Sequence, residues 1–472
     1  MIRLTLAELA TIVDGRLLNA NDAAVEITGS VETDSRLIAS GALFVAKPGE
    51  VTDGHLFVGS ALAAGAVAAL VEQPVEVQIP QIQVGDAVLA LGRLAKHVLH
   101  VLKRDHGLKV IGITGSNGKT TTKNMLREVL SRVGETVAPI ESYNNEVGAP
   151  YSMLRCNEST KFLVAELGAG GLGSIAYLTE MANPDVAVEL KVGLAHVGEF
   201  GGIETTAAIK AELLHGLEPH AIAVLNADDG YVREMAETCA NEKVWFGSAS
   251  DANLRSENIE LTLEGTSFDL IWPDGARQRV TLQILGEHHV MNALAALSVA
   301  EVLGVSRGDS IAAIEAMPLA ERWRMQLTHR ADGVAVINDA YNASPDSTKA
   351  ALQTLAQLGK SGRRTVAVIG EMAELGEFSR EQHDAIGRVV VRLNIDQLVV
   401  VGERAKLVHL GAMQEGSWDG ESEFFQQPED ALAYLRKMLK TGDIVLVKSS
   451  KSANLRHLGD ALSGEEIAEV NE

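Results

Sequence analysis

The sequence has few cysteines, no long apolar run and no excess of positive charge. Cys156 and Cys239 lie far apart, so neither a disulfide framework nor a cysteine-rich metal site is expected, and a reducing cytosol fits. The most apolar stretch, residues 57–71, is rich in alanine and glycine and shorter than a membrane span, which favours a packed helix without membrane insertion. Lysine and arginine number 41 against 63 aspartates and glutamates, and this net charge of −22 argues against nucleic acid or an anionic membrane as a partner. Any anionic ligand must therefore be held by local cations and metal.

The length of the chain predicts several domains. At 472 residues and 50.2 kDa the chain is too long for one core and suggests roughly two to four domains. Its first residues lack a basic region followed by an apolar core, so they predict a helix capped at Thr5 and no signal peptide. We divide the chain into a first unit at residues 1–107, a central unit at 108–318 and a third unit at 319–472.

Residues 109–133 predict a strand, a phosphate-binding loop and a helix. Apolar residues from Met125 to Val133 recur at the spacing of one buried helix face, and Gly134 supplies the stop. The helix N-terminus would face the loop and bind a nucleoside triphosphate, with Lys119 on the β/γ-phosphates and the Thr120 hydroxyl on Mg²⁺. The alternative is a glycine-rich turn with a solvated lysine. The predicted loop residues are Gly115, Ser116, Asn117, Gly118, Lys119, Thr120 and Thr121.

The rest of the central unit alternates strand-like and helix-like runs, as a mostly parallel sheet requires. Glu166 ends one strand and His196 follows another, so both are expected near Lys119, where they favour a Mg²⁺ site with His196 near a second ion. The alternative for His196 is a hydrogen-bonded core histidine. Lys210 by itself is predicted to be a solvated or paired lysine. The stretch from Gly286 starts a long apolar helix with His288 and Asn292 on one face, where the pair either contacts a ligand or caps and packs.

The outer units are predicted to be α/β as well. In the first unit, Ser35, Arg36 and His55 lie at predicted turns, where they either contact a ligand or are simply exposed to solvent. In the third unit, strands at 334–338, 365–369, 397–401 and 443–447 alternate with helices in a doubly wound, Rossmann-like pattern. Ser344 with Pro345 predicts a helix start, and Ser379 with Gln382 predicts a capping box. No G-x-G-x-x-G follows these strands, which disfavours a nicotinamide cofactor. The expected fold class is α/β: a small N-terminal domain, a central phosphate-loop domain with a parallel sheet, and a Rossmann-like C-terminal domain.

Several motifs resemble those of the Mur ligases, the ATP-dependent amide-forming enzymes of peptidoglycan assembly. They are T-G-S-N-G-K-T-T at 114–121, V-A-E-L-G at 164–168, A-H-V-G-E-F-G-G at 195–202 and the H-x-x-x-N-A that starts at His288. The motifs at 144–150, 339–347 and 370–376 are similar to those of the family members that join D-alanyl-D-alanine to a UDP-N-acetylmuramoyl-tripeptide.

This resemblance implies a reaction and a set of roles. ATP would phosphorylate the C-terminal carboxylate of the UDP-linked tripeptide, and the amine of the dipeptide would then displace phosphate. By family likeness Lys119, Thr120 and Glu166 hold phosphates and Mg²⁺, His196 helps to bind a second ion, and Lys210 matches a lysine that is carbamylated in several members. Residues implied in nucleotide binding are Asn292, Arg322, Asp339, Tyr341 and Asn342, and those implied in muropeptide binding are Ser35, Arg36, His55, Asn144 and Asn145.

Two other classes of protein stay open on the sequence. Another ATP-dependent amide ligase, of the folylpolyglutamate or cyanophycin type, shares the loop, although the first-unit turns and Asn144 with Asn145 argue against it. A catalytically silent nucleotide-binding regulator would be expected to lose Lys119, Glu166 or Lys210, and all three are present. The third residue of the peptide, meso-diaminopimelate or L-lysine, stays open. A cytoplasmic monomer whose domains close over the nucleotide is the expectation.

Overall fold

The first unit is a small sheet with helices on its faces. The computed structural model describes residues 1–19, 23–49, 52–139, 143–195, 197–318, 322–416, 418 and 420–464. Strand order in this unit is β2-β7-β6-β5-β4, with β2 antiparallel and the others parallel, beside the pair β1 and β3. The elements are β1 Leu4–Thr5, α1 Leu6–Ile12, β2 Arg16–Leu18, β3 Glu26–Ile27, β4 Val31–Glu32, β5 Leu43–Ala46, α2 Val58–Ala64, β6 Ala68–Val71, β7 Gln81–Gln83 and α3 Ala87–His106.

The central unit is built on a larger sheet of order β16-β15-β14-β13-β12-β11-β8-β10-β9. Its strands are parallel from β9 to β14, and β15 and β16 add an antiparallel edge. The elements are β8 Lys109–Thr114, α4 Lys119–Leu130, β9 Thr136–Val137, α5 Gly148–Met153, β10 Phe162–Glu166, α6 Ser174–Ala182, β11 Val186–Glu189, α7 Val197–Phe200, α8 Ile203–His215, β12 Ile222–Asn226, α9 Gly230–Glu237, β13 Glu242–Gly247, β14 Leu254–Thr262, β15 Gly265–Ile271, β16 Arg277–Leu282, α10 Glu287–Val302 and α11 Arg307–Glu315.

The C-terminal unit has the doubly wound order β17-β18-β22-β19-β20-β21, in which β17 alone is antiparallel among the described strands. Short 3-10 turns lie in this unit at Gly376–Phe378, Glu403–Ala405 and Lys451–Ala453, and in the first unit at Ser35–Leu37 and Gly54–Phe57. The elements are β17 Gln326–His329, β18 Ala335–Asp339, α12 Pro345–Gly359, β19 Thr365–Ile369, α13 Ser379–Arg392, β20 Gln397–Val401, α14 Lys406–Gln414, β21 Glu421–Phe425, α15 Pro428–Met438, β22 Ile444–Lys448 and α16 Leu455–Ser463.

Hydrophobic clusters continue from one unit into the next. Helix α3 packs against α5 and α6, so that Leu94 and Val98 share a core with Met153 and Ile175. On the other side, Val197 and Leu285 of the central unit belong to the core of the C-terminal sheet, and the β14–β15 hairpin packs Leu261 and Leu263 against that core. The domain limits at residues 107 and 318 stay a prediction. No helix in the described part of the chain is long and apolar enough to cross a membrane.

The α/β fold class is confirmed, and several local predictions hold. Thr5 caps α1 in a capping box with Glu8, and the helix after the phosphate loop begins directly after Gly118. Ser344 caps α12, with Pro345 at its first position. Thr5 and Ser344 each lie at the start of a helix, where their side chains pair with unsatisfied N–H groups.

Three local predictions are wrong. Residues 57–71 form helix α2 followed by strand β6, because Gly65 adopts a left-handed φ of 113° and ends the helix. Helix α4 ends at Leu130, and Val133 is 46% exposed, so Val133 is not on a buried helix face. Ser379 does not cap α13 with Gln382, because a 3-10 turn precedes the helix and Ser379 already belongs to it.

The packing of α13 on α14 predicts the effect of one added methyl group. A Cβ at Gly387 would lie 2.1 Å from the carbonyl oxygen of Val408, a backbone atom that cannot move aside cheaply. Alanine in a helix gains about 1 kcal/mol over glycine, and overpacking costs about 1–3 kcal/mol. We expect Gly387→Ala to lower the thermal unfolding midpoint.

Gly59→Ala in α2 is the matched control, because a Cβ at Gly59 would meet no described atom within 4 Å. This variant should leave the midpoint unchanged or raise it. A midpoint for Gly387→Ala equal to or above that of the wild type, measured by circular dichroism, would contradict the expected clash.

Candidate nucleotide-binding and active site

The predicted phosphate loop lies between β8 and α4. Gly115 and Gly118 adopt φ values of 145° and 90°, which favour glycine. A Cβ at Gly118 would lie 2.4 Å from Asn292 Oδ1, so the loop passes directly against that side chain. No described side chain caps α4 at Gly118, and the positive end of the helix dipole therefore points at the loop. Lys119 Nζ donates to the Gly115 carbonyl at 2.8 Å.

Two carboxylates flank this loop at the ends of the strands on either side of β8. Glu166 ends β10 and pairs in register with Ile113, while Glu189 ends β11 and pairs with Thr114. Both side chains are 0% exposed, and none of their oxygens has a hydrogen-bond partner among the described residues. Burying an ionised carboxylate without such partners is costly, so each group must be compensated by a cation or take up a proton. Lys123 Nζ supplies one, at 3.5 Å from Glu166 Oε1.

Sequence reasoning found Glu166 and missed Glu189. The signal for Glu189 was the same as for Glu166: a carboxylate at the carboxyl end of a buried strand. It was informative only once β11 was known to lie directly beside β8.

Lys210 is a buried residue of α8, not a solvated one. Burial lowers the pKa of its ammonium group, repulsion from Lys119 acts in the same direction, and attraction to Glu189 opposes both. Burial raises the pKa of Glu189, while attraction to Lys210 opposes that shift. Burial also lowers the pKa of Lys119, and Glu166 opposes it. The half-buried Lys119 and the buried Lys210 and Glu189 therefore lie within electrostatic reach of one another.

A cavity of about 300 Å³ extends from the phosphate loop to the C-terminal unit. Lys448 lines this cavity. Its Nζ lies 2.6 Å from Asp339 Oδ2 and donates to the Asn342 carbonyl at 2.8 Å. The guanidinium of Arg324 lies 4.4 Å from the centre of the Tyr341 ring. The predicted residues that line the cavity are Ser116, Asn117, Gly118, Lys119, Thr120, Thr121, Asn144, Glu166, Asn292, Asp339, Tyr341 and Asn342.

Two neutral histidines also line the cavity. Burial lowers the pKa of His288 to about 4 and lowers the pKa of His289 well below its usual range. Asn292 Nδ2 lies 3.2 Å from His289 Nδ1, where the amide can donate and leave a proton on Nε2. His289 Nε2 has no hydrogen-bond partner among the described residues, so it is a candidate donor to a ligand.

Arg322 does not line the cavity. It pairs with Asp460 at 3.1 Å, and its guanidinium lies 4.7 Å from the Trp323 ring. The residues on either side of Arg324, Trp323 and Met325, have left-handed φ values of 61° and 49°. The backbone therefore turns sharply after Arg322, and Arg324 lines the cavity instead.

The predicted muropeptide residues are partly engaged within the protein. Asp34 holds Arg36 through both carboxylate oxygens, next to Ser35 on an exposed turn of the first unit. His55 is buried, with Nδ1 2.6 Å from Asp53 and Nε2 accepting from the Glu72 N–H at 2.9 Å. Both ring nitrogens of His55 therefore have protein partners.

The remaining predicted site residues lie near the phosphate loop or outside the described residues. Asn145 Oδ1 accepts from the Gly148 N–H at 2.8 Å at the start of α5, beside Asn144. Among the residues that the structure describes, no three His, Cys, Asp or Glu side chains form a metal-ligand group. His196 lies outside the described residues.

The chain was compared with known families and proteins. Models described as the Mur ligase family, catalytic domain, the Mur ligase middle domain and the Mur ligase, glutamate ligase domain match residues 28–108, 113–300 and 323–451. The UDP-N-acetylmuramoyl-tripeptide--D-alanyl-D-alanine ligase of Mycobacterium leprae is 41% identical over 98% of this chain and 99% of its own. The protein of that name from Mycobacterium tuberculosis (strain H37Rv) is 42% identical over 98% of both chains.

Solved structures show the same similarity. The crystal structure of MurF from Acinetobacter baumannii has a TM-score of 0.89 and 33% identity, and covers 98% of this chain and 99% of that chain. MurF from Thermotoga maritima in complex with ADP has a TM-score of 0.81 and 28% identity, and covers 93% and 98%. Mycobacterium tuberculosis folylpolyglutamate synthase, at 18% identity and a TM-score of 0.60, shares only the fold.

The positions of the two arginines predict different effects on nucleotide binding. Arg324→Ala removes a cation from the cavity wall, so we expect the Kd for ADP to rise by about tenfold or more. Arg322→Ala is the matched control, and it should change the Kd by less than about threefold. Calorimetric titration with Mg·ADP measures both, and a larger loss for Arg322→Ala would contradict the assignment.

Proposed function

The chain belongs to the Mur ligase family, and we propose that it joins D-alanyl-D-alanine to a UDP-N-acetylmuramoyl-tripeptide in peptidoglycan synthesis, with hydrolysis of ATP to ADP and phosphate. The observation that carries this proposal is the full-length match to ligases of this activity. The phosphate loop and Glu166 face a third unit that supplies Arg324, Tyr341 and Lys448 to the same cavity, which suits a reaction between large anionic substrates.

ATP is held at the phosphate loop. The N–H groups at the start of α4 and the Lys119 ammonium neutralise the β- and γ-phosphates. Asn292, Tyr341 and Arg324 surround the rest of the nucleotide from the central and C-terminal units. The C-terminal unit closes over ATP and binds D-alanyl-D-alanine.

The residues present fit Mg²⁺. Glu166 offers two buried oxygens without hydrogen-bond partners among the described residues, and the Thr120 hydroxyl lines the same cavity. Hard oxygen donors of this kind suit Mg²⁺, which when bound neutralises the charge on the transferred phosphoryl group. His196, by family likeness, belongs to a second ion.

The two chemical steps require positioning more than covalent help from the protein. The tripeptide carboxylate attacks the γ-phosphorus, so that an acyl phosphate forms and ADP leaves. The dipeptide amine then attacks the acyl carbon, loses a proton, and phosphate leaves as the amide forms. Lys119 holds the phosphoryl oxygens during the first step, and Arg324 adds positive charge from the C-terminal unit.

The UDP-muropeptide approaches from the first unit. Ser35 and Arg36, on an exposed turn of that unit, bind one end of the substrate. Asn144, which lines the cavity beside Asn145, binds it nearer the phosphate loop. His55 acts through the turn that it stabilises, because both of its ring nitrogens have protein partners. The substrates and the two buried free cysteines are consistent with a cytoplasmic location.

Lys210 is proposed to be carbamylated. Its neutral amine adds to CO₂ and releases a proton, and burial favours that neutral form by lowering the pKa. The product is an anion, which would support a second Mg²⁺. Glu189, whose pKa burial raises, can stay protonated beside that anion and avoid repulsion.

The proposed reaction predicts phosphate release that depends on both peptide substrates. Mg·ATP and UDP-N-acetylmuramoyl-tripeptide should release phosphate only with D-alanyl-D-alanine, and mass spectrometry should show the pentapeptide product. Lys119→Ala should lower kcat on the order of 100-fold because a phosphoryl-holding charge is lost.

Lys360→Ala is the matched control, since Lys360 is exposed at the end of α12, away from the phosphate loop. It should keep kcat within about twofold of the wild type. Turnover with a single amino acid and a shorter muropeptide would instead identify an earlier ligase of the family, and turnover of a folate with glutamate would identify the folylpolyglutamate type.

Carbamylation predicts dependence on CO₂. Removal of CO₂ from the buffer should lower kcat by about tenfold, and bicarbonate should restore it, because the buried site loses one anion. ¹³C NMR with labelled bicarbonate should give a carbamate signal that is absent in Lys210→Arg and retained in Lys360→Arg. Unchanged kcat together with no signal would contradict the modification.

A further inference from the structure

The segment at residues 190–194, directly after β11, packs against the phosphate loop and supports it. Ser116 N–H donates to the Lys191 carbonyl at 2.7 Å, and Gly193 N–H donates to Ser116 Oγ at 2.8 Å. A Cβ at Gly115 would lie 2.8 Å from Leu190 Cβ. The shape of the phosphate loop therefore depends on where this segment lies.

The opposite side of the segment is held by the C-terminal unit. Leu194 N–H donates to Asp346 Oδ2 at 2.7 Å, a short distance that fits a charge-assisted hydrogen bond. A Cβ at Gly193 would lie 2.3 Å from the same oxygen, so only glycine leaves room for the carboxylate. Asp346, 152 positions from Leu194 in the sequence, thus holds the segment that supports the phosphate loop.

A second contact joins the same two elements. Ser344 Oγ, which caps α12, donates to Asn117 Oδ1 of the phosphate loop at 3.3 Å. The first turn of α12 therefore contacts the loop both directly and through the segment at 190–194.

Helix capping alone does not account for the position of Asp346. A carboxylate in the first turn of α12 is favourable near the helix dipole whatever lies opposite. Its contact with Leu194, in contrast, exists only while the C-terminal and central units are together. An interaction made in one state and not in another is what shifts an equilibrium between them.

We propose that Asp346 is a positioning residue that couples closure of the C-terminal unit to the shape of the phosphate loop. When the units close, its carboxylate fixes Gly193 and Leu194, and these fix Ser116. Nucleotide first binds to the central unit, and the loop reaches its reactive shape only when α12 arrives. The inference rests on the proposed function, because it concerns phosphoryl transfer at that site.

The test compares Asp346→Ala with Asp346→Asn. Loss of the charged hydrogen bond should lower kcat by about tenfold, while the KM for ATP stays within about twofold. Asparagine keeps an oxygen acceptor for Leu194 N–H, so it should recover most of the lost kcat. In hydrogen exchange with Mg·ADP bound, peptides that cover Ser116 and residues 190–195 should exchange faster in the alanine variant than in the asparagine variant.

Gln357→Ala is the matched control. It removes another hydrogen bond between the same two units, from Gln357 Nε2 to Glu287 Oε1 at 2.7 Å, away from the phosphate loop. It should keep kcat within about twofold. Gly193→Ala should lower kcat as Asp346→Ala does, and the double variant should lose less than the product of the two single losses.

Three results would overturn the proposal: kcat of Asp346→Ala within twofold of the wild type, an equal loss in the alanine and asparagine variants, or an equal loss in Gln357→Ala. Hydrogen exchange needs no turnover. A wild type that fails to use D-alanyl-D-alanine but shows the expected exchange pattern would therefore refute the reaction and leave the coupling intact.

Discussion

Two carboxylates buried beside the phosphate loop impose the main constraint on this structure. Glu166 and Glu189 are removed from water without hydrogen-bond partners among the described residues, at a cost of several kcal/mol per ion unless cations compensate. Lys123 lies beside Glu166, Lys119 is attracted to both carboxyl groups, and Lys210 lies near Glu189, whose pKa burial raises. A chain with net charge −22 can bind a triphosphate only where such local positive charge is concentrated. The ends of β10 and β11, which carry the two carboxyl groups, therefore act together with α4, which carries Lys119 and Lys123, and with α8, which carries Lys210.

Features set by neighbours in sequence were predictable. The strand, loop and helix that begin at residue 109, the Ser344-Pro345 helix start and the alternating pattern of the third unit depend on residues a few positions apart, and the structure confirms them. The Mur ligase resemblance was predictable for the same reason, because its motifs are contiguous. The wrong predictions for Val133 and Ser379 concern where a helix begins or ends, which depends on tertiary packing as well as local signals.

Features set by the approach of distant segments were not predictable. Glu189 was informative only with the strand order known, and the choice between Arg322 and Arg324 depends on left-handed backbone at Trp323. The role of His55 depends on Glu72, which directly follows β6, the strand next to β5 in the sheet. Asp346 looks in the sequence like an ordinary first-turn acid, and only its contact with Leu194 distinguishes it.

The β14–β15 hairpin makes the contact between the two larger units dependent on temperature. Leu261 and Leu263 from the hairpin, with Val197 and Leu285, lie against the core of the C-terminal sheet, so part of the attachment is apolar. Any separation of these surfaces transfers hydrocarbon to water and so carries a positive heat-capacity change. Apolar attachment of this kind weakens on cooling. Separation of the two larger units would therefore depend on temperature through this apolar contact.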